Sequence, residues 1–462
     1  MRRYLLLSLC ALALSFNSCA DKCAALSADA TAREEVDTYS EIVVPSMTVY
    51  NGHLFTNEAP TAPKGYKPFY ITAYLRHGSR YEVSQLYADE TRNYFVEADK
   101  LGLLTPLGQR VKEYMIWNQQ HHVDHAGDLT QVGFNQHKGI AMRYCKAFPS
   151  LFKGKAEVVS VSSTSPRAIL SMAGFNEGLK LSNPRMHNTM KASEETAAAM
   201  RPQKSAHNPA YPAAEEKAYK KFLVEGVYSY LLEWGKRQDM SHALNGMFTD
   251  PKAFFDHFAD YKDSFKILTD IYKRLAFAQN FDVDNRDLVN EVFNAEERYL
   301  MYMHENCVWH YRCASAAHPI LANNMAQSRV LVDYLVNRAD EVISGEVGSN
   351  AHLCFGHDLN IIPLQNIFGL EGMPLYFGEG NETIEYVAEH WRGYKITPKA
   401  ANIFFIFYRN KEGKVLVRPQ MNERDVDMPI ETDTPYYYEW EKVKELAYAR
   451  LDEIDELKKG AF

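Results

Sequence analysis

The sequence predicts an α/β fold: a doubly wound, mainly parallel sheet flanked by helices, with an α-rich cap insert. Three observations predict it. Short β-prone runs alternate with helical stretches, the pattern of strands joined by crossover helices. Between about 190 and 320 the strand signals cease and helical stretches broken by Pro and Asn take over. No repeat with a period of 20–50 residues is present, which argues against solenoids and propellers.

The elements follow in chain order. Phe69 to Leu75 is apolar and β-prone and predicts a buried strand, and the run Arg76-His77-Gly78-Ser79-Arg80 begins where it ends. Helices are expected over Ser84–Lys100, from Thr105-Pro106 with Thr as cap and Pro in the first turn, and over Thr130–Ala147. Glu157–Ser162 predicts a second strand, and Thr164-Ser165-Pro166-Arg167 opens another helix. His352–Phe355 predicts a third strand, ended by Gly356-His357-Asp358. Asn402–Arg409 and Lys414–Arg418 flank a turn at Asn410–Gly413 and read as a hairpin, and Tyr438–Lys458 as a terminal amphipathic helix. The strand signals therefore define a core of residues 45–190 and 320–462, with 190–320 as the cap.

Hydrophobic residues are 46% and charged residues 24% of the 462, enough to bury a large core. Arg2 and Arg3 precede an apolar stretch of 13 residues, Tyr4 to Phe16, too short to cross a bilayer as a helix. Residues 1–18 are therefore expected to be a signal peptide of lipoprotein type, Cys19 the lipidated residue, and 19–44 a flexible leader. Phe16 stands where that pattern usually has Leu, and ordinary cleavage near Ala20 or Ala25 is the other reading. The expected location is the periplasm or the cell surface, with membrane attachment only through Cys19. The net charge is −8, and losing 1–18 removes two arginines and no acid, taking it to −10. Such a chain is no evident nucleic-acid binder, and any anion site must be built locally. Five cysteines remain after Cys10 and Cys19, an odd number that does not suit a disulfide scaffold, although a Cys307–Cys313 bridge is one option.

The chemistry gathers at strand ends. In Arg76-His77-Gly78-Ser79-Arg80 the two arginines repel each other and disfavour imidazolium, an arrangement that makes sense if an anion sits there. A neutral His77 can attack phosphorus while Arg76 and Arg80 hold phosphoryl oxygens in forked geometry. Gly78 is expected to allow close backbone approach, and the helix after the run to offer N–H groups to the anion. Arg167, in the first turn of a helix, opposes the helix dipole unless it points at a bound anion. Asp358 can protonate a departing alcohol and then activate water. In open parallel sheets ligands bind outside the carboxyl ends of the strands, where all three segments fall.

Together these residues resemble the histidine acid phosphatase family, clade 2 of the histidine phosphatase superfamily. The resemblance spans roughly residues 65–440. It is carried by the Arg76–Arg80 run, Leu104–Gly108, Gly127–Gly133, Ser163–Ser171 and His357-Asp358-Leu359-Asn360. It implies hydrolysis of phosphate monoesters through a phosphohistidine on His77, with no metal and no cofactor. Arg76, Arg80, Arg167, His357 and Asn360 are then expected to bind substrate, and Asp358 to act as proton donor. A small phosphorylated molecule is the expected partner. Tyr81 is similar to the multiple inositol polyphosphate phosphatases, whereas His357-Asp358 is similar to bacterial phytases, whose substrate class is the first expectation. A broad acid or sugar phosphatase, and a non-catalytic phospholigand-binding lipoprotein, are the alternatives. Glu82 stands where the family run has proline, and is expected near the pocket mouth, where it would weaken binding of highly charged substrates. Residues 191–320 hold 16 basic and 19 acidic residues, which argues against a uniformly basic lid but leaves a local patch at Lys217, Lys220 and Lys221.

Two clusters imitate metal sites. His121, His122 and His125 lack a second ligand set, and His304, Cys307, His310 and Cys313 drift around half a helix instead of converging. Both are expected to be packing or loop residues.

Overall fold

Strand β1, Lys67–Arg76, forms where aromatic and β-branched residues crowd together, and all of its residues from Tyr70 onward are buried. That burial requires cover on both faces. Ile71, Ala73 and Leu75 pack on one side with Leu353, Phe355, Phe404 and Ile406. Tyr70 and Tyr74 pack on the other with Cys354, Phe405 and Phe407. The alternation is the period-2 geometry of a pleated strand.

The computed structural model describes residues 30–39, 44–50, 61–204, 206–208, 211–258, 264–316, 318–374 and 383–459. Residues 1–18, expected to be a signal peptide, and Cys19 lie outside the described residues. The remaining strands are β2 (Glu157–Ser162), β3 (His187–Ala192), β4 (Ala351–Gly356), β5 (Asn402–Arg409), β6 (Val415–Met421), β7 (Arg424–Asp425) and β8 (Tyr438–Glu439). They make one sheet in the order β3-β2-β4-β1-β5-β6-β7, with β8 also on β6. β3, β2, β4 and β1 run parallel, while β5 returns antiparallel beside β1 and pairs with β6 as the expected hairpin. The sheet is thus mixed, with its parallel half carrying the segments of chemical interest.

Local signals set the helix starts. Thr105 Oγ1 accepts from Gly108 N–H at 3.0 Å, and Thr130 Oγ1 from Gly133 N–H at 3.2 Å. Pro166 starts the helix Pro166–Ser182 without a side-chain cap from Ser165. Between β3 and β4 the described residues form helices, from Glu194–Met200 to the crossover helix Arg329–Ser344.

Two expectations need correction. β3 was not expected: its sequence, HNTMKA, is polar and mostly exposed, and it is recognisable only as an edge strand paired to β2. The leader is not flexible throughout, because Ala32–Thr38 is a helix closed by a Thr31–Glu34 capping box. Its Glu35 is 1% exposed and ion-paired to Arg392 at 2.9 Å and Lys395 at 2.5 Å, and it accepts from the Tyr394 hydroxyl. That buried carboxylate with three partners ties the helix to the body.

Candidate active site

Parallel pairing sets the ends of three strands side by side. Arg76 is in register with Gly356, and Phe355 with Ser162. The chain leaving β1 becomes His77, the chain leaving β4 becomes His357 and Asp358, and the chain leaving β2 reaches Arg167 within five residues. Tyr74 secures the junction. Its hydroxyl accepts from His357 N–H at 2.9 Å and donates to Met200 O at 3.1 Å.

His77 is 2% exposed. Its Nδ1 lies 2.9 Å from the Gly78 carbonyl oxygen, so that nitrogen carries the proton and Nε2 keeps its lone pair. The His357 ring sits edge-on, 5.6 Å away between centroids. Burial, reinforced by Arg167, Arg76, Lys399 and Arg80, pushes His77 well below the usual histidine range. It is a neutral, oriented imidazole.

Arg76 is fully buried. It donates to Thr397 O at 2.5 Å and Ser46 O at 2.7 Å, and its Nη2 lies 2.9 Å from Asp358 Oδ2. Arg80 donates to Tyr81 O at 2.7 Å. The Nε groups of Arg76, Arg80 and Arg167 are all buried without an acceptor. Burial and neighbouring arginines lower Arg76 and Arg167 to about 10, which leaves both cationic. Three unsatisfied donors on three cations call for an anionic acceptor.

Asp358 opens the helix Asp358–Phe368, where a carboxylate suits the helix dipole. Burial alone would raise it, but Arg76, Arg312, His357 and Lys399 hold it well below the usual carboxylate range. His357 Nε2 hydrogen-bonds to Ser163 Oγ at 3.1 Å, and burial, Arg201 and Arg167 push His357 well below its ordinary value.

Residues 72–422 match the model of the histidine phosphatase superfamily (branch 2). The chain belongs to that superfamily. No curated protein sequence matches it. Among solved structures, the Bifidobacterium longum multiple inositol polyphosphate phosphatase in complex with inositol hexasulfate is 19% identical, covering 89% of this chain and 98% of its own, at a TM-score of 0.70. The phosphate complex of that enzyme is 18% identical, with 89% and 98% coverage and a TM-score of 0.67. The phytase from D. castellii is 14% identical, with 89% and 85% coverage and a TM-score of 0.62. At these identities the likeness is one of fold.

Within this branch-2 histidine phosphatase, several expectations change. Asn360 is fully buried; its amide donates to Tyr74 Oη and to Met200 O at 3.0 Å, and its oxygen accepts from Gln203 Nε2 at 2.5 Å. Both of its N–H donors are used within the protein, so it ties the helix after β4 to β1 and to the cap and has no donor left for a phosphate. The helix after the Arg76–Arg80 run begins only at Leu86, so the helix starts at the site are those at Pro166 and Asp358. Gly78 is needed for a different neighbour: a Cβ there would overlap the Gly133 carbonyl, and one on Gly133 would overlap the Ser79 carbonyl. Glu82 is not at a mouth. It is 3% exposed, and Arg274 Nη2 of the cap lies 2.9 Å from its Oε1.

Three basic side chains of the site escaped the sequence reading. Arg201 and Arg312 from the cap both act on Asp358 or its neighbours, and Lys399 is close enough to Arg76, Arg80 and Asp358 to feel their charge. Only the adjacency of Lys399 to the β5 signal offered a clue. Lys220 and Lys221 pair with Glu216 and Glu225 at 2.5 and 3.7 Å, which neutralises much of the proposed patch. The decoy histidines pack: Tyr81 stacks on His125 at 4.6 Å and meets His122 edge-on at 5.8 Å. Cys307 and Cys313 are thiols on one helix, not a disulfide.

Proposed function

We propose that this protein is an exported phosphomonoesterase that hydrolyses inositol polyphosphates through a phosphohistidine on His77. The observation that carries this reading is the set of unpartnered Nε donors of Arg76, Arg80 and Arg167 around a neutral His77.

In the first step His77 Nε2 attacks phosphorus. A P–N bond forms as the ester P–O bond breaks, and the leaving oxygen takes a proton from Asp358. Asp358 is a carboxylate beside Arg76 in the free protein. A phosphoryl dianion that engages Arg76 and adds negative charge beside it raises Asp358 and lets it bind that proton. In the second step the Asp358 carboxylate accepts a proton from water, the water oxygen attacks phosphorus, and the P–N bond breaks to return neutral His77. Arg76, Arg80 and Arg167 stabilise the charge on the transferring group in both steps.

Arg201 and Arg312, outside the cradle, support a substrate with more than one phosphate, as does the fold shared with an enzyme crystallised with inositol hexasulfate. Export, and a lipid tether at Cys19, rest on the signal-like residues 1–18. One observation favours the broader reading of an acid or sugar phosphatase: the cap's lysines at 220 and 221 are already paired with acids.

The test is hydrolysis of an aryl phosphate and of inositol hexakisphosphate by purified protein without added metal. His77→Ala should remove turnover while leaving the circular dichroism spectrum intact, and acid-labile label should appear on His77 of the wild type. An active His77→Ala protein would sink the mechanism. A preference for the aryl ester would select the broader reading.

A further inference from the structure

Lys399 is 0% exposed, and its Nζ has no hydrogen-bond partner. A buried ammonium in that state is costly unless something else answers its charge. Its place in the fold is well determined. Its own N–H donates to Thr48 O at 2.7 Å, the next residue, Ala400, donates to His77 O at 3.0 Å, and Thr397 two residues before accepts from Arg76. Ala400 holds φ at 59°, a left-handed conformation rare for a residue with a side chain, so the segment is fixed by its surroundings.

The charged groups acting on Lys399 are Arg76 at the end of β1, Arg80 and Glu82 from the segment after it, and Asp358 from the helix after β4, with the neutral His77 as the other titratable neighbour. Glu82 is engaged by Arg274 and Asp358 by Arg76, so neither acid is a dedicated counter-ion for Lys399.

We propose that Lys399 is a fourth phosphoryl-binding cation of this site, alongside Arg76, Arg80 and Arg167. The inference rests on the phosphatase reading above. An anion on the cradle supplies the acceptor that the protein withholds from Nζ. Burial, with Arg80 and Arg76 beside it, pushes the lysine well below its ordinary range. That direction favours the neutral amine while the cradle is empty, and a bound anion shifts the balance back toward the ammonium, drawing a proton from solvent. The lysine thus adds positive charge when the anion is bound and adds little repulsion when it is not.

The experiment is calorimetric titration of inorganic phosphate into the wild type, Lys399→Met and Lys399→Gln at pH 8, in two buffers of different ionisation enthalpy. Thermal melts with and without phosphate accompany it. Both variants should bind phosphate at least about tenfold more weakly, equivalent to about 1.4 kcal/mol. They should take up less proton per phosphate, while melting without phosphate at or above the wild-type temperature. A merely structural lysine would instead lower that melting temperature and leave proton uptake unchanged. A folded variant that binds phosphate within twofold of wild type, with equal uptake, overturns the proposal. If neither variant folds, a wild type that takes up no proton on binding phosphate also overturns it. A wild type that binds no phosphate and hydrolyses no ester defeats the phosphatase reading itself, which separates the two failures.

Discussion

Arg76 Nη2 and Asp358 Oδ2 lie 2.9 Å apart, joining the end of β1 to the helix that follows β4. The arginine is completely buried, and the carboxylate keeps 15% exposure. One contact thus links the cation next to the nucleophile with the proposed acid. It keeps the acid ionised until an anion competes for the arginine.

Asp358→Asn removes the proton donor but keeps the shape. Esters with poor alcohol leaving groups should lose about 10²–10⁴-fold in kcat/KM, the usual worth of general acid catalysis. Aryl phosphates, whose leaving groups need little protonation, should lose much less. Equal losses on both, measured by steady-state kinetics, would argue against the acid role.

Stability should fall toward acid pH because of two buried histidines. Burial lowers His137 to about 3, despite its bond to Arg76 O at 3.0 Å, and lowers His352 to about 4, with Arg338 and Lys191 contributing. Both values lie below the unfolded value near 6.5, so the unfolded chain binds more protons in between. The stability is complete above about pH 6.5 and declines as pH falls toward 4 and then 3, by roughly 1.4 kcal/mol per pH unit for each histidine at most. Urea unfolding at pH 7, 5.5 and 4 checks this, and a flat dependence would contradict it. Burial and the surrounding cations lower His77 in the same direction, which favours its unprotonated, nucleophilic form.

The buried pair Glu82–Arg274 joins the catalytic run to the cap, with exposures of 3% and 4%. Arg274→Met leaves a buried carboxylate alone and should cost about 3–5 kcal/mol. The double variant Glu82→Leu/Arg274→Met should recover most of that loss. Denaturant unfolding of the cycle decides the matter: additive losses would mean that the two charges are not coupled.

Much of the fold was legible because its signals are local. β1, β2, β4 and the β5–β6 hairpin announced themselves by composition, and the helices at Pro106, Gln131 and Pro166 by caps and prolines a few residues long. β3 did not, because HNTMKA acquires strand character only from its pairing with β2. Ala32–Thr38 did not, because its anchor is Glu35 reaching residues 392–395, more than 350 positions away. Among the candidate site residues, Arg76, His77, Arg80, Arg167, His357 and Asp358 were legible because each lies within five residues of the end of a strand signal. Lys399, Arg201 and Arg312 follow no such rule.

The sequence by itself determined the strand ends, the run of residues on them and hence the class of chemistry. Only the tertiary structure decided which charges answer which. It turned Glu82 from a repulsive acid at a mouth into the partner of Arg274, engaged the Asn360 amide with Tyr74 and Met200, and buried the Lys399 amine without a hydrogen-bond partner. The reason is physical. Strand and helix signals act over a few residues along the chain, whereas electrostatic partnership depends on distance and burial in space. Those are set by a sheet order, β2-β4-β1-β5, that brings together segments hundreds of residues apart.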